Sequence, residues 1–276
     1  MSGDWSPART HRSADGEVRW DRMGDGPPLV LLHGTPFSSY VWRRIAPALA
    51  RDWTVHVWDM LGYGASEQRD GQDVSLAAQA RLFAELLDHW RLDRPAVVAH
   101  DFGGAVSLRA LLLEQRRYRC LTLVDPVALA PWGSPFFALV REHAHVFEQL
   151  PAYIHAAVLA AYVGDAAHHP LPAETRDALI APWLGEVGQR AFYRQIAQAD
   201  QRYTDEVQPR YGELDLPVLV VWGREDRWIP VTKAHELHAA IPGAALAIVD
   251  GAGHLVQEDA PDALLDRLVP FLRAQL

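Results

Sequence analysis

Six short apolar runs recur along the chain, interspersed with longer stretches whose apolar residues fall at helical spacing, and this alternation points to a parallel sheet with crossover helices. The runs are residues 28–32 (PLVLL), 53–58 (WTVHVW), 95–99 (PAVVA), 121–124 (LTLV), 217–222 (PVLVVW) and 244–249 (AALAIV). Helical spacing marks 41–50, 76–90, 105–113, 234–241 and 264–272, while 16–22 suits an antiparallel edge hairpin. The alternation breaks once. From about 126 to 214 no strand-like run appears, and helical patterns interrupted by prolines are crowded with aromatic residues. An insertion of this size between two sheet strands suggests a lid over the carboxyl edge, where such sheets bind ligands. The expected organisation is therefore a core from 1–126 and 215–276, with a helical cap over 127–214.

Composition narrows the function classes. At 276 residues the chain is long enough for one large α/β domain. A net charge of −9, from 26 Lys and Arg against 35 Asp and Glu, disfavours nucleic acid or an anionic membrane surface as a partner. The single cysteine, Cys120, excludes a disulfide framework and a thiolate zinc site. His235-Glu236-Leu237-His238 lacks the i, i+4 histidine spacing of a helical zinc site, so no metal is expected. Gly62-Tyr63-Gly64-Ala65-Ser66 lacks the third glycine of a dinucleotide fingerprint, and no cofactor is expected either. The amino-terminal sixteen residues contain no apolar core of a secretory signal. The longest apolar stretch, 153–163, is interrupted by His155 and falls short of the ~18 residues of a membrane span. A cytoplasmic enzyme, monomeric or homodimeric, is the expectation.

The stretch that carries most chemistry is Val97-Val98-Ala99-His100-Asp101-Phe102-Gly103-Gly104-Ala105. A strand gives way to a helix within two residues, around one functional side chain flanked by small ones. So sharp a turn strains its central residue and exposes it at a helix N-terminus, where the dipole favours an anion and a neighbouring Cβ would clash. An aspartate that merely caps the helix is the competing interpretation. Downstream, Gly251-Ala252-Gly253-His254 follows the last run, and Asp226 lies in the turn after the preceding one. His33-Gly34-Thr35-Pro36 follows the first.

In these motifs and their order the chain resembles the α/β-hydrolase superfamily over nearly its whole length. The resemblance implies an α/β fold with a mostly parallel sheet flanked by helices and a helical lid inserted after the sixth strand. It places Asp101 at the nucleophile position and His254 at the base. Asp226 would hold the histidine tautomer; Glu225 is a weaker candidate, and Asp125 an alternative, because some relatives take the acid from that strand. The backbone N–H groups of Thr35 and Phe102 would form the oxyanion hole.

No G-x-S-x-G occurs, and Gly64-Ala65-Ser66 lacks the second glycine, which argues against a serine esterase or lipase. A carboxylate attacking an ester would give an anhydride, whereas attack on a saturated carbon bearing a leaving group gives an alkyl ester that water, activated by a histidine, can cleave. Epoxide hydrolases and dehalogenases share this two-step logic, and the chain resembles both. Haloalkane dehalogenases usually supply a Trp after the nucleophile and an Asn in the H-G-N-P loop to bind halide; here Phe102 and Thr35 stand there, leaving Trp132 or Trp183 as substitutes. Phe102 and Ala105 also occupy the places where haloacetate dehalogenases carry arginines, which disfavours an acidic substrate.

Epoxide hydrolases use lid tyrosines to protonate the opening oxygen, and Arg190-Ala191-Phe192-Tyr193-Arg194 resembles their N-W-Y-R pattern, which makes Tyr193 the candidate acid. Where a second lid tyrosine is expected, residues 141–147 present His143 and His145 instead. Spaced i, i+2 on a helix, only one of the two could face the site. The expectation is an epoxide hydrolase acting on a small apolar electrophile. A haloalkane dehalogenase is the chemical alternative, and a non-catalytic small-molecule binding protein on the same fold is the alternative of another class.

Overall fold

The apolar runs pair edge to edge. In the computed structural model, which describes residues 5–276, β1 (Arg9–Ser13) and β2 (Gly16–Met23) form the edge hairpin. The runs become β3 (Pro28–Leu32), β4 (Thr54–Trp58), β5 (Ala96–His100), β6 (Cys120–Val124), β7 (Val218–Gly223) and β8 (Ala245–Val249). Together they make one eight-stranded sheet in the order β1-β2-β4-β3-β5-β6-β7-β8. β2 alone runs against the rest, pairing antiparallel with both β1 and β4, and all other neighbours are parallel. Register carries Leu31 opposite Val57 on one side and Val98 on the other, and Val98 opposite Thr122. β5, β6 and β7 are buried at every residue. That is why these segments read as unbroken apolar runs instead of alternating ones.

Eleven helices complete the described chain: α1 (Ala46–Leu49), α2 (Leu76–His89), α3 (Phe102–Leu112), α4 (Pro135–Phe147), α5 (Ala152–Asp165), α6 (Ala173–Ile180), α7 (Gly185–Ala197), α8 (Arg202–Asp205), α9 (Thr232–Ala240), α10 (Val256–Asp259) and α11 (Pro261–Arg273). Local sequence sets their starts. Ser75 caps α2 by accepting from the Ala78 N–H, and Ser134 caps α4 through the Phe137 N–H with Pro135 in the first turn. The helix expected over 41–50 is instead a 3-10 turn at Ser39–Trp42 followed by the short α1. Pro47 has no N–H to donate and is tolerated only in a first turn, so the helix restarts just before it.

Between β6 and β7 the described chain forms helices α4 to α8 and no strand. Two side-chain anchors join this insertion to the loop after β3. Trp183 donates its indole N–H to the Pro36 carbonyl at 2.6 Å, and Gln195 Oε1 accepts from the Thr35 hydroxyl at 2.8 Å. Among the described residues no helix is long and apolar enough to cross a membrane.

Candidate active site

The turn from β5 into α3 presents Asp101 with φ 51° and ψ −119°, in the positive-φ region that side chains rarely occupy. Close packing around it explains the small residues. A Cβ on Gly34 would lie 2.2 Å from Asp101 Oδ1, and one on Gly104 would lie 2.4 Å from the Pro126 Cβ. Glycine at 34 is thus what lets the loop after β3 reach the carboxylate, and the Thr35 N–H donates to Asp101 Oδ1 at 2.7 Å. The Phe102 N–H occupies the first position of α3, where no intrahelical acceptor exists.

His254, fully buried, lies between two carboxylates. Its Nδ1 bonds Asp226 Oδ2 at 2.8 Å, and its Nε2 stands 3.3 Å from Asp101 Oδ2, in ion-pair range but off hydrogen-bond alignment. Burial works to lower the His254 pKa, but the Asp226 charge and the contacts with Asp101 outweigh it and hold it well above the usual imidazole value. Asp226 Oδ1 accepts from the Trp228 and Ile229 N–H groups at 2.8 and 2.9 Å, which fixes the carboxylate's orientation.

The other acid candidates are engaged elsewhere. Asp125 accepts the Gly223 N–H at 2.8 Å, and Glu225 accepts the Ala252 N–H at 3.0 Å. Burial, reinforced by the Asp226 charge, pushes the Asp125 pKa well above the usual carboxylate value. Asp125, Asp226 and His254 bring ligand-type atoms within 4.8 Å of one another. The Asp226 oxygens, however, are already taken by the imidazole and two amides, which leaves that trio poorly suited to a cation.

His100, immediately before Asp101, bonds the His254 carbonyl through Nε2 at 2.9 Å, and its ring centroid lies 4.8 Å from that of His254. Burial lowers its pKa to about 3 and that of His56 to about 4. These directions set a stability profile. Below about pH 6.5 the unfolded chain binds protons that native His56 and His100, together with His33, His89 and His155, resist because burial lowers their pKa values, while the raised Asp125 pKa opposes them. The several histidines outweigh the single carboxyl, so stability is expected to fall on acidification below pH 6.5. Above pH 6.5, native His254 keeps a proton that the unfolded chain has released, so stability declines as pH rises through that raised pKa. Urea midpoints measured from pH 4.5 to 9 are therefore expected to peak near 6.5. A midpoint that climbs on acidification from 6.5 would contradict histidines held neutral by burial.

A cavity opens beside Asp101, lined by core residues that include Thr35, Phe102 and Trp228, and by Trp132, Phe137 and Tyr162 from the segment after β6. Tyr162, on α5, stacks on Trp228 at a centroid distance of 4.5 Å, and Trp228 in turn lies 5.0 Å from the His254 ring. Burial, then the Asp101 charge, drives the Tyr162 pKa well above the ordinary phenol value, so it is protonated at neutral pH.

The sequence-expected residues of the insertion fall elsewhere. Tyr193 bonds His155 Nδ1 at 2.9 Å among Phe147 and Phe192 and does not line the cavity. His143 marks a break in α4, with φ −128°, and His145 is exposed; neither lines the cavity. Trp132 does line it, but its N–H donates to Thr204 Oγ1 at 2.8 Å, and that of Trp183 is held by Pro36. The Trp228 N–H donates to Asp165 Oδ2 at 3.2 Å. Two residues went unnoticed in the sequence: Tyr162, one aromatic among several between β6 and β7, and Gln195, whose carbonyl also accepts from the Tyr63 hydroxyl at 3.0 Å. The only sequence sign for Tyr162 was its membership of that aromatic cluster.

This sheet order, with an acidic turn, an aspartate–histidine pair and a facing backbone N–H at the carboxyl ends of the strands, defines a hydrolase. Residues 27–261 match the alpha/beta hydrolase fold family, and the chain belongs to it. An α/β-hydrolase fold protein from Burkholderia ambifaria is 49% identical in a superposition with TM-score 0.94, covering 97% of this chain and 99% of that one. Haloalkane dehalogenase 2 of Mycobacterium tuberculosis is 28% identical over 98% of this chain and 99% of its own. The epoxide hydrolase CorEH shares the fold with a TM-score of 0.76 at 22% identity, covering 97% of this chain and 99% of that one.

Proposed function

We propose that the protein hydrolyses a small epoxide to its diol through an alkyl ester of Asp101. The observation that carries this reading is Tyr162: a protonated phenol lining the same cavity as Asp101, while the indole N–H groups of Trp132 and Trp228 there are committed to Thr204 and Asp165. An opening epoxide needs one proton donor for its oxygen, whereas a departing halide needs N–H groups to solvate it. The donor that is offered suits the epoxide.

In this scheme Asp101 attacks an epoxide carbon as Tyr162 protonates the oxygen. The insertion, as a lid, keeps bulk water away. Esterification turns Asp101 neutral and removes one of the two charges that hold the proton on His254. Imidazole is thereby favoured at the step that needs a base. His254 then takes a proton from water as it adds to the ester carbonyl, Asp226 stabilises the imidazolium, and the N–H groups of Thr35 and Phe102 receive the oxyanion. Its collapse breaks the acyl C–O bond as the imidazolium returns the proton to the leaving oxygen, and the carboxyl proton left on Asp101 restores the Tyr162 phenol. The product diol carries one oxygen from the epoxide and one from the Asp101 carboxylate.

A second reading, haloalkane dehalogenation, is favoured by the Mycobacterium tuberculosis relative. Incubation with styrene oxide and with 1-bromobutane separates the two. Diol from the first without bromide from the second is expected; bromide without diol would transfer the assignment to dehalogenation.

A further inference from the structure

The loop that carries His254 is held along its backbone. Glu225 takes the Ala252 N–H, and His100 donates to the His254 carbonyl. The amides on either side of His254 lead to the insertion instead. The Leu255 N–H donates to the Ala166 carbonyl at 3.0 Å, and the Gly253 N–H donates to Asp259 Oδ2 at 2.9 Å.

Asp259, the last residue of α10, is half-buried and gathers three amides at once. Its Oδ2 also accepts the His168 N–H at 2.7 Å, and its Oδ1 accepts the His169 N–H at 2.9 Å. One carboxylate thereby links the residue before His254 to the segment just after α5. Hydrogen bonds in which the acceptor is ionised are stronger than those between neutral groups, which makes this a firm link for a loop.

Tyr162 stands in the last turn of α5. Trp228 supports that end of the helix from the side: its ring stacks on Tyr162, and its N–H donates to Asp165, the last residue of α5. Beyond Asp165 the chain passes directly to Ala166, His168 and His169, where Leu255 and Asp259 hold it. Asp259 thus acts through the backbone on the segments of both the proton donor and the base. Its neighbour Glu258 makes a separate tie, pairing with Arg43, whose guanidinium reaches Thr175 Oγ1 on α6 at 3.2 Å.

We propose that Asp259 is a positioning residue: by bonding Gly253, His168 and His169 together it sets where Tyr162 stands relative to His254. The parts played by Tyr162 and His254 rest on the epoxide reading above.

The test follows styrene oxide with Asp259→Ala, which removes all three acceptor contacts, and with Thr175→Val, which frees the insertion from Arg43 alone. The ratio kcat/KM reports ester formation, where Tyr162 acts; decay of the ester in a single turnover reports hydrolysis, where His254 acts. Asp259→Ala is expected to slow both by about 10–100-fold, the scale of a misplacement of about 1 Å, and Thr175→Val to leave both nearly unchanged. In a Tyr162→Phe background Asp259→Ala should cost kcat/KM far less, because a missing donor cannot be misplaced. Three results would overturn the proposal: an equal loss in both backgrounds, a loss in one step alone, or Thr175→Val matching Asp259→Ala. Amide exchange on the wild type decides the matter if Asp259→Ala does not fold. The Gly253, His168 and His169 amides should open as one unit, with protection factors within about 10-fold of one another. A wider gap between Gly253 and the two histidines would remove the shared anchor. Wild type that forms no diol would end the epoxide reading, and matched protection would still leave the anchor standing.

Discussion

Replacing His254 by glutamine is expected to halt turnover after its first chemical step and leave a covalent ester on Asp101. Glutamine is polar and of similar reach, so the pocket next to Asp226 stays filled, yet it takes no proton from water. Attack by Asp101 needs no base and proceeds; hydrolysis of the ester does not. Steady-state kcat should fall by about 10³–10⁴-fold, the scale on which loss of a catalytic base is felt. Intact-protein mass should rise by one substrate, and the adduct should map to the peptide that contains Asp101. The same scheme requires that single turnover of the wild type in ¹⁸O-water labels the Asp101 carboxylate. Absence of both adduct and label would favour a binding protein on a hydrolase fold and end the two-step scheme.

Tyr162→Phe should separate the two leaving groups. Without the phenol proton the epoxide oxygen must leave as an alkoxide, and kcat/KM for styrene oxide should drop by about 10²–10⁴-fold. Tyr193→Phe should change it only slightly, because that hydroxyl serves His155 inside the insertion, a contact worth about 1 kcal/mol of stability. If the Tyr193 variant lost activity and the Tyr162 variant kept it, the proton donor assigned here would be wrong. Bromide leaves without a proton. Any 1-bromobutane activity that survived Tyr162→Phe intact would thus point to the dehalogenase reading.

The geometry at the carboxyl edge of the sheet was legible because it is local. The strain at Asp101 is encoded by His100-Asp101-Phe102-Gly103-Gly104 in one turn, and the glycine that admits Thr35 to the carboxylate stands one residue before it. Likewise, both backbone amides that orient Asp226 come from residues two and three further on. Choosing Asp226 over Asp125 and Glu225 was a different matter. All three lie in or just after strands that end near His254, and what separates them is which oxygen reaches Nδ1.

The insertion was legible only as a kind of structure. Prolines and aromatic density marked 127–214 as helical, but a pattern resembling a lid motif drew attention to Tyr193, which points into the insertion's own core. Tyr162 reaches the cavity because Trp228, from the loop after β7, provides a flat partner for its ring. No sequence window contains both residues.

What the amino-acid order determined by itself is therefore the α/β frame and the acidic turn, since strand pairing, helix capping and the demand for small residues at a sharp bend are all short-range. Only the tertiary structure decided which side chains of the insertion line the cavity beside Asp101 and which acceptors take up the indole N–H groups of Trp132, Trp183 and Trp228. Those outcomes depend on packing between segments more than sixty residues apart, where each aromatic ring competes for the same few neighbours.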